Sequence, residues 1–368
     1  MLIVSAPGRT ELGGNHTDHQ HGCVLAAAVD LHTTAHVTPT GTNFVRVFSD
    51  GYAPVEIDLR DLTARPSESA TTAALVRGVL AAFLRCGAAL SGFDATVHSE
   101  VLPGSGLSSS AAFEVLMGRI CNNLFCQGRI SSIEIAKIGQ FAENVYFGKP
   151  CGLMDQMASS VGGVVFLDFA DPDAPRVEHC SLRLDGYSLY MLDSGASHAD
   201  LTDEYAAIPA EMGSVSAYFG QKFLRNVSKL EFFRELPNLR GKVPDRALLR
   251  AIHFFEENAR VQQQVQALRE NDTETFLRLV TESGQSSWMD LQNVIPAGAV
   301  AHQELALTLT LCRTLLAGRG ACRVHGGGFA GTVQAFVPND RAEKFQTQTE
   351  RILGHGRCRR LKIEEDAI

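Results

Sequence analysis

Apolar residues change their spacing several times along the chain, and each change marks an element. Leu2 to Ser5 reads as a short strand stopped by Pro7-Gly8, and after a polar stretch residues 24–31 read as a second buried element. Alternation at Val45, Val47, Val55, Ile57 and Leu59 continues the β character. Three- and four-residue spacing predicts helices over 71–85, 108–125 and 131–147, and 164–169 reads as another strand. The run Asp171-Pro172-Asp173-Ala174-Pro175 breaks the pattern and predicts a hairpin or an interdomain turn. Beyond it, 187–192 looks like a strand, and long helical patterns occupy 246–270, 273–284 and 299–317. Gly326-Gly327-Gly328 falls between apolar segments ending at Val324 and beginning at Val333, which predicts a tight turn between strands. The expectation is an α+β fold in two domains, 1–180 and 181–368.

Composition narrows the class. The 368 residues are 45% hydrophobic and 20% charged, with a net charge of -8, which is a globular balance. An acidic chain without a concentrated Lys/Arg block argues against nucleic acid or an anionic membrane as the main partner. The nine cysteines, at 23, 86, 121, 126, 151, 180, 312, 322 and 358, are scattered and form no C-x-x-C pair. That favours free thiols in a reducing compartment over a disulfide frame or a zinc site. No basic n-region with an apolar stretch of signal length opens the chain, and no run reaches the ~18 apolar residues of a membrane helix, so a cytoplasmic protein is expected.

Two polar segments carry candidate chemistry. Pro103-Gly104-Ser105-Gly106-Leu107-Ser108-Ser109-Ser110-Ala111-Ala112 reads as a glycine-rich turn running into a helix whose apolar face is Ala112, Val115, Leu116, Ile120 and Leu124. Free N–H groups at such a helix start attract anionic oxygens, and the serines add hydroxyls for phosphate or metal. The bland alternative is a Gly/Ser loop capping an ordinary helix. The segment has neither the Gly-Lys-Ser/Thr ending of a Walker loop nor a G-x-G-x-x-G after a strand. The second segment, residues 7–19, gathers Arg9, Asn15, His16, Asp18 and His19. Their donors and acceptors suit a polyhydroxylated ligand, and Asp18 can accept from two adjacent hydroxyls. A metal reading of His16, Asp18, His19 and His21 is disfavoured because the alternation lacks a standard zinc-site spacing.

Here the chain resembles a family. Residues 8–19 are similar to the galactokinase signature Gly-Arg-x-Asn-Leu-x-Gly-Glu-His-Thr-Asp-Tyr and match it at Gly8, Arg9, Leu12, Gly14, His16, Thr17 and Asp18. The cradle at 103–112 resembles the second motif of the GHMP small-molecule kinases, and His325-Gly326-Gly327-Gly328-Phe329-Ala330-Gly331 resembles the third. Pro150-Cys151-Gly152-Leu153-Met154-Asp155-Gln156-Met157 is similar to the Cys-Gly-x-Met-Asp-Gln segment, Asp203-Glu204-Tyr205 to the Ser-Glu-Tyr segment, and 253–260 to the His/Glu/Arg helix. All occur in family order across about 10–340.

The resemblance implies a two-domain GHMP kinase fold, with a ribosomal protein S5 domain 2-like N-terminal domain, a ferredoxin-like α/β C-terminal domain and the active site in the cleft between them. It implies an ATP-dependent, Mg²⁺-requiring sugar 1-kinase making α-D-galactose 1-phosphate, a monomer or weak dimer. Gly104, Ser105, Gly106, Leu107, Ser108, Ser109 and Ser110 would wrap the ATP phosphates, Ser49 would lie on the nucleotide side, and Ser110 with Glu143 would hold the cation. Asp155 would act as base, with Arg9 stabilising the transferring phosphate. Asn15, His16, Thr17, Asp18, Gly152, Asp155 and Tyr205 would bind the sugar, while the Gly326–Gly331 turn shapes the site and Trp288 is core.

The chain departs from the signature at Asn15, where the family has Glu facing the C6 hydroxyl, and at His19, where it has Tyr. A carboxylate only accepts, whereas an amide also donates and carries no charge. A C6-modified galactose such as galacturonate is therefore the alternative substrate. A non-catalytic galactose/ATP sensor is the alternative class, and the presence of Arg9, Ser110, Glu143 and Asp155 speaks against it. A non-sugar GHMP substrate is disfavoured by His16, Thr17 and Asp18.

Overall fold

A computed structural model describes residues 1–102, 104–196 and 201–364; Pro103, at the head of the cradle, lies outside the described residues. The chain separates into two compact units, Met1–Arg9 with Ala27–Gly163, and Thr10–Ala26 with Val164–Glu365. The expected division at 180/181 differs on two counts. Residues 10–26 belong with the second unit, and the change after the first lies at 163/164. The reason lies in partners that local pattern cannot reveal. The Asn258 carboxamide oxygen accepts from Cys23 N at 2.7 Å, Gln264 Nε2 donates to Leu12 O at 3.1 Å, and Gln334 Nε2 donates to Glu11 O at 3.0 Å.

In the first unit, strand β1 (Leu2–Gly13) and strand β2 (Cys23–Pro39) begin or end outside it, and β3 (Phe44–Ser49), β4 (Val55–Asp58), α1 (Thr72–Arg85) and β5 (Phe93–Ser99) follow. The sheet order is β4-β3-β5-β2, with β3 and β5 parallel and the other neighbours antiparallel. Helices α2 (Ser109–Phe125), α3 (Ser132–Phe141) and α4 (Met154–Val161) complete it, and α3 continues into a π-helical turn at Ala142–Phe147. Thr71 and Ser131 cap α1 and α3 by accepting from Ala74 N and Glu134 N. The core joins Val45, Val47, Phe93 and Val97 of the strands to Val79, Phe83, Leu116 and Ile120 of the helices. Pro7-Gly8 does not stop β1, contrary to the expectation. Among the described residues this strand pairs only with β2, and an edge strand tolerates a proline that cannot donate.

In the second unit, β6 (Val164–Asp168) and β7 (Arg176–Cys180) form an antiparallel hairpin, so the Asp/Pro run is the hairpin turn. A four-stranded antiparallel sheet has the order β11-β8-β10-β9, from β8 (Tyr187–Asp193), β9 (Ala321–His325), β10 (Thr332–Pro338) and β11 (Cys358–Leu361). Its helices are α5 (Thr202–Tyr218), α6 (Lys229–Leu239), α7 (Asp245–Arg269), α8 (Thr273–Ser286), α9 (Glu304–Leu316) and α10 (Ala342–Leu353). A second π-helical turn, Ser287–Leu291, ends α8. Trp288 packs partly buried against a core of Leu192, Leu305, Val324 and Val333. Among the described residues no helix is long and apolar enough to cross a membrane, and the nine cysteines are free thiols.

Candidate active site

The first unit assembles the groups expected on the phosphate side around Arg9. Its backbone N–H donates to Leu107 O at 3.1 Å, its Nη1 to Gly106 O at 2.6 Å, and its Nε to Asp155 Oδ1 at 2.6 Å. One buried guanidinium thus ties the cradle to the carboxylate. Gly104 and Gly106 have φ of 77° and 75°, the left-handed region that glycine adopts without strain. Ser105 closes the turn by donating from Oγ to Leu102 O at 2.6 Å.

Ser108 holds φ 58° at the start of α2, and its hydroxyl donates to Asp155 Oδ2 at 2.7 Å. It therefore does not cap α2, whose first N–H groups, around Ser109, receive no side-chain cap. An uncapped helix start next to a guanidinium is a ready anion site. Ser49, at the end of β3 beside Val97 of β5, keeps a buried hydroxyl with no hydrogen-bond partner.

Asp155 lies in the first turn of α4, where Leu153 is the N-cap, so the aspartate is not itself a capping residue. Its side chain is 32% exposed while that of Arg9 is 6% exposed, which leaves the carboxylate open to a ligand. Burial alone would raise the Asp155 carboxyl. The charge and hydrogen bond of Arg9, with the Ser108 hydroxyl and Lys149, reverse this and hold it below the usual carboxylate range. Gly152 stands two residues ahead of α4, half-buried.

Glu143 sits on the π-helical turn, a distortion frequent at functional sites. Its Oε1 accepts from Ser110 Oγ at 3.2 Å and lies 3.3 Å from Lys149 Nζ, and its Oε2 accepts from Gln156 Nε2 at 2.9 Å. Gln156 Nε2 also donates to Glu114 Oε2 at 3.0 Å. Burial, and then the neighbouring Glu143, push the Glu114 carboxyl well up. The sequence reading singled out neither Glu114, Gln156 nor Lys149. Gln156 stands in the segment Cys151-Gly152-Leu153-Met154-Asp155-Gln156, and Glu114 falls on a helix face that periodicity marks only as buried.

Ser110 and Glu143 offer a hydroxyl and a carboxylate converging on one point, hard oxygen donors of the number Mg²⁺ takes from protein when phosphates and water complete its shell. These residues fit the cation. Among the described residues no cluster of three His, Cys, Asp or Glu side chains comes together as a metal site.

The second unit assembles the sugar-signature groups around the glycine turn between β9 and β10. Three successive carbonyls of that turn are held by side chains. Asn15 Nδ2 donates to Gly326 O at 2.7 Å, His16 Nε2 and Asn293 Nδ2 donate to Gly327 O at 3.0 and 3.1 Å, and the Tyr205 hydroxyl donates to Gly328 O at 2.7 Å. The carbonyl can only accept, which places the His16 proton on Nε2 and leaves Nδ1 a buried acceptor with no partner. Burial, followed by nearby His19, lowers the His16 pKa to about 3, so the ring is neutral at physiological pH. Tyr205, in the first turn of α5, packs edge-on to Phe329.

Thr17 and Asn15 are more enclosed than the signature suggests. The Thr17 hydroxyl donates to Gly14 O and Cys23 O at 2.9 and 2.6 Å with the residue fully buried, which makes it a brace of its own loop. Asn15 is 1% exposed, and its amide is engaged on every side. Asp18 opens a 3₁₀ turn, Asp18–Gln20, with Oδ1 accepting from His19 N at 2.9 Å and lying 3.8 Å from His19 Nε2. Glu11, unremarked from sequence, is buried and pairs with Arg323, which is 312 residues away along the chain.

Comparison with known proteins shows the family of the chain. Residues 2–39 match the galactokinase galactose-binding signature, and residues 74–163 match the GHMP kinases N terminal domain. The chain is 32% identical to a galactokinase of Glaesserella parasuis serovar 5 (strain SH0165), over 94% of this chain and 90% of that protein. It is also 32% identical to a galactokinase of Actinobacillus pleuropneumoniae, over 93% of this chain and 87% of that protein. In three dimensions it is similar to Lactococcus lactis galactokinase complexed with galactose, with a TM-score of 0.85 and 24% identity over 100% of this chain and 95% of that one. It is likewise similar to Methanococcus jannaschii mevalonate kinase, with a TM-score of 0.69 and 13% identity over 99% and 98%.

Proposed function

The chain belongs to the galactokinase family and has the GHMP kinase fold, and from this we propose that it phosphorylates galactose at the anomeric hydroxyl, forming α-D-galactose 1-phosphate and ADP from ATP. The observation that carries the catalytic reading is the contact of Arg9 with both the cradle and Asp155.

The cradle's glycines and the uncapped start of α2 bind the ATP phosphates through backbone N–H groups. Ser110 and Glu143 would hold Mg²⁺, which when bound would offset the negative charge of the phosphates. Asp155 accepts a hydrogen bond from the anomeric hydroxyl and orients its oxygen toward the γ-phosphorus. As the new O–P bond forms, the bond from that phosphorus to the β–γ bridging oxygen breaks and ADP leaves. The sugar proton passes to Asp155. Arg9 stabilises the transferring group, a task worth ~10²–10³ in rate for one well-placed contact. The depressed pKa of Asp155 suits an orienting carboxylate more than a strong base, consistent with the small need for base catalysis in a loose phosphoryl-transfer transition state.

On the sugar side, the partnerless Nδ1 of His16 and the carboxylate of Asp18 accept from hydroxyls, and Tyr205 presents an apolar edge. Thr17 supports these residues from behind. The test is ADP release from purified protein with ATP and Mg²⁺. Release that depends on added galactose and stops with chelator supports the kinase; binding of both ligands without ADP release means a sensor, and the reading fails.

A further inference from the structure

The two oxygens of Glu143 face different neighbours. Gln156 Nε2 takes Oε2 at 2.9 Å, so Oε1 is the oxygen turned toward Ser110. Two groups meet on Oε1, Ser110 Oγ at 3.2 Å and Lys149 Nζ at 3.3 Å. The ammonium therefore stands no farther from the Ser110 hydroxyl than those two distances together. Ser110 lies in the first turn of α2, whose start has no side-chain cap and attracts anionic oxygens. Lys149 thus borders both the pair of oxygens suited to a cation and the helix end suited to phosphate.

The partners differ in freedom. The Glu143 side chain is 3% exposed and fixed by Gln156, whereas that of Lys149 is 64% exposed on a flexible four-carbon stem. The root of that stem is held, because Lys149 N donates to Glu143 O at 3.2 Å. An ion pair with one member in solvent is weak, so the ammonium can leave the carboxylate readily. Arg9 has no such freedom, being buried and tied to Gly106 O and Asp155. A divalent cation held by Ser110 and Glu143 has to take Oε1 from the ammonium, since two cations on one oxygen repel each other. Phosphate oxygens arriving with the cation offer the ammonium another partner.

We propose that Lys149 is a mobile counter-ion shared between the cation site and the phosphates, guarding Glu143 Oε1 against a divalent cation that arrives alone and moving onto phosphate oxygens when nucleotide arrives. The inference rests on the kinase reading and deepens it by one residue and an order of binding.

Three variants test it. Lys149→Met removes the charge and keeps most of the stem, Lys149→Arg keeps the charge, and Lys137→Met removes the same charge from a pair with Glu134 on α3. Mn²⁺ binding without nucleotide is read from the paramagnetic resonance of the free ion, and ATP binding in excess chelator by calorimetry. Thermal unfolding establishes that each protein is folded. In Lys149→Met the Mn²⁺ affinity is expected to rise by about fivefold or more and the ATP affinity in chelator to fall by about fivefold or more, opposite signs that a merely structural role does not produce. Lys149→Arg should keep both affinities within about threefold, and Lys137→Met within about twofold. Unchanged or weaker Mn²⁺ binding in folded Lys149→Met overturns the proposal, as does unchanged ATP binding. Equal shifts in Lys137→Met also overturn it, by showing an effect of net charge alone. Both arms measure binding, so a chain that gives these shifts without releasing ADP loses the kinase reading and keeps the role of Lys149.

Discussion

Arg9 and Asp155 form the contact on which the proposed chemistry depends, and their mutual dependence gives its sharpest test. Arg9 is buried against a carboxylate whose second oxygen is held by Ser108. Removing the charge of Asp155 leaves the guanidinium without its partner as well as the sugar hydroxyl without its acceptor. Asp155→Asn, similar in shape, is expected to lower kcat by ~10²–10⁴ while sugar and ATP KM change by less than about fivefold. The depressed pKa fixes the pH behaviour. A carboxylate with a lowered folded pKa is charged above that value, so activity depending on it is lost only as pH falls below the usual carboxylate range. The kcat/KM profile should therefore show no limb from Asp155 between pH 5 and 8, an interval that lies wholly above its ordinary value of about 4. An acidic limb centred near pH 6.5 that disappears in Asp155→Asn would show that the carboxyl is not held down by Arg9 as the geometry requires.

At the scale of elements, the glycine turn between β9 and β10 is held from several directions, and its tightness is testable. A Cβ at Gly327 would run into the ring of Tyr205, displacing the hydroxyl that donates to Gly328 O. Gly327→Ala should raise the galactose KM by about tenfold and leave the ATP KM near its natural value, whereas Tyr205→Phe, which deletes one hydrogen bond but keeps the packing, should cost about three- to tenfold. Equal rises in both KM values for Gly327→Ala would show that the turn is not specific to the sugar side.

The turn itself was legible because three glycines interrupt two apolar runs, and α1, α2, α7 and α8 were legible because their buried faces recur at helical spacing. Other elements were not. Pro209 lies inside α5, which masked its Ile208, Met212 and Val215 face, and β11 is only four residues long. In the site, Arg9, Asp155, Ser110 and Glu143 followed from motif order. The roles of Glu11 and Ser108 did not, since each is defined by a side-chain partner far away in sequence: Arg323 for the first and Asp155 for the second. Ser108, expected with its neighbours to wrap the ATP phosphates, has its hydroxyl turned by the fold onto Asp155.

For the molecule as a whole, buried titratable groups tie stability to pH with opposing signs. Glu257, fully buried beneath Arg260 and Ser283 and accepting from Gly14 N at 3.0 Å, is pushed up by burial but brought down to about 2 by Arg260, His253 and Arg323. A lowered folded pKa gives stability that is complete above the ordinary 4.5 and lost as pH falls toward about 2. His16, lowered to about 3 from 6.5, refuses a proton that the unfolded chain takes up, so its contribution to folding weakens from pH 6.5 downward. Glu114 works the other way: its raised carboxyl pKa means that the folded state holds the proton more readily, and stability from this group grows as pH falls through that range. The net slope mixes these terms, but variants separate them. His16→Asn removes the imidazole proton and should flatten acid destabilisation between pH 6.5 and 4.5 by about one proton, or ~1.4 kcal/mol per pH unit. Glu114→Gln should steepen it over the same interval. Chemical denaturation of the natural chain and both variants at pH 7.5, 6 and 5 checks this, because the remaining groups cancel in each difference. A His16→Asn slope identical to that of the natural chain would mean that His16 takes up its proton in the folded state, and with it that the neutral ring holding Gly327 is not what keeps the sugar-side turn closed.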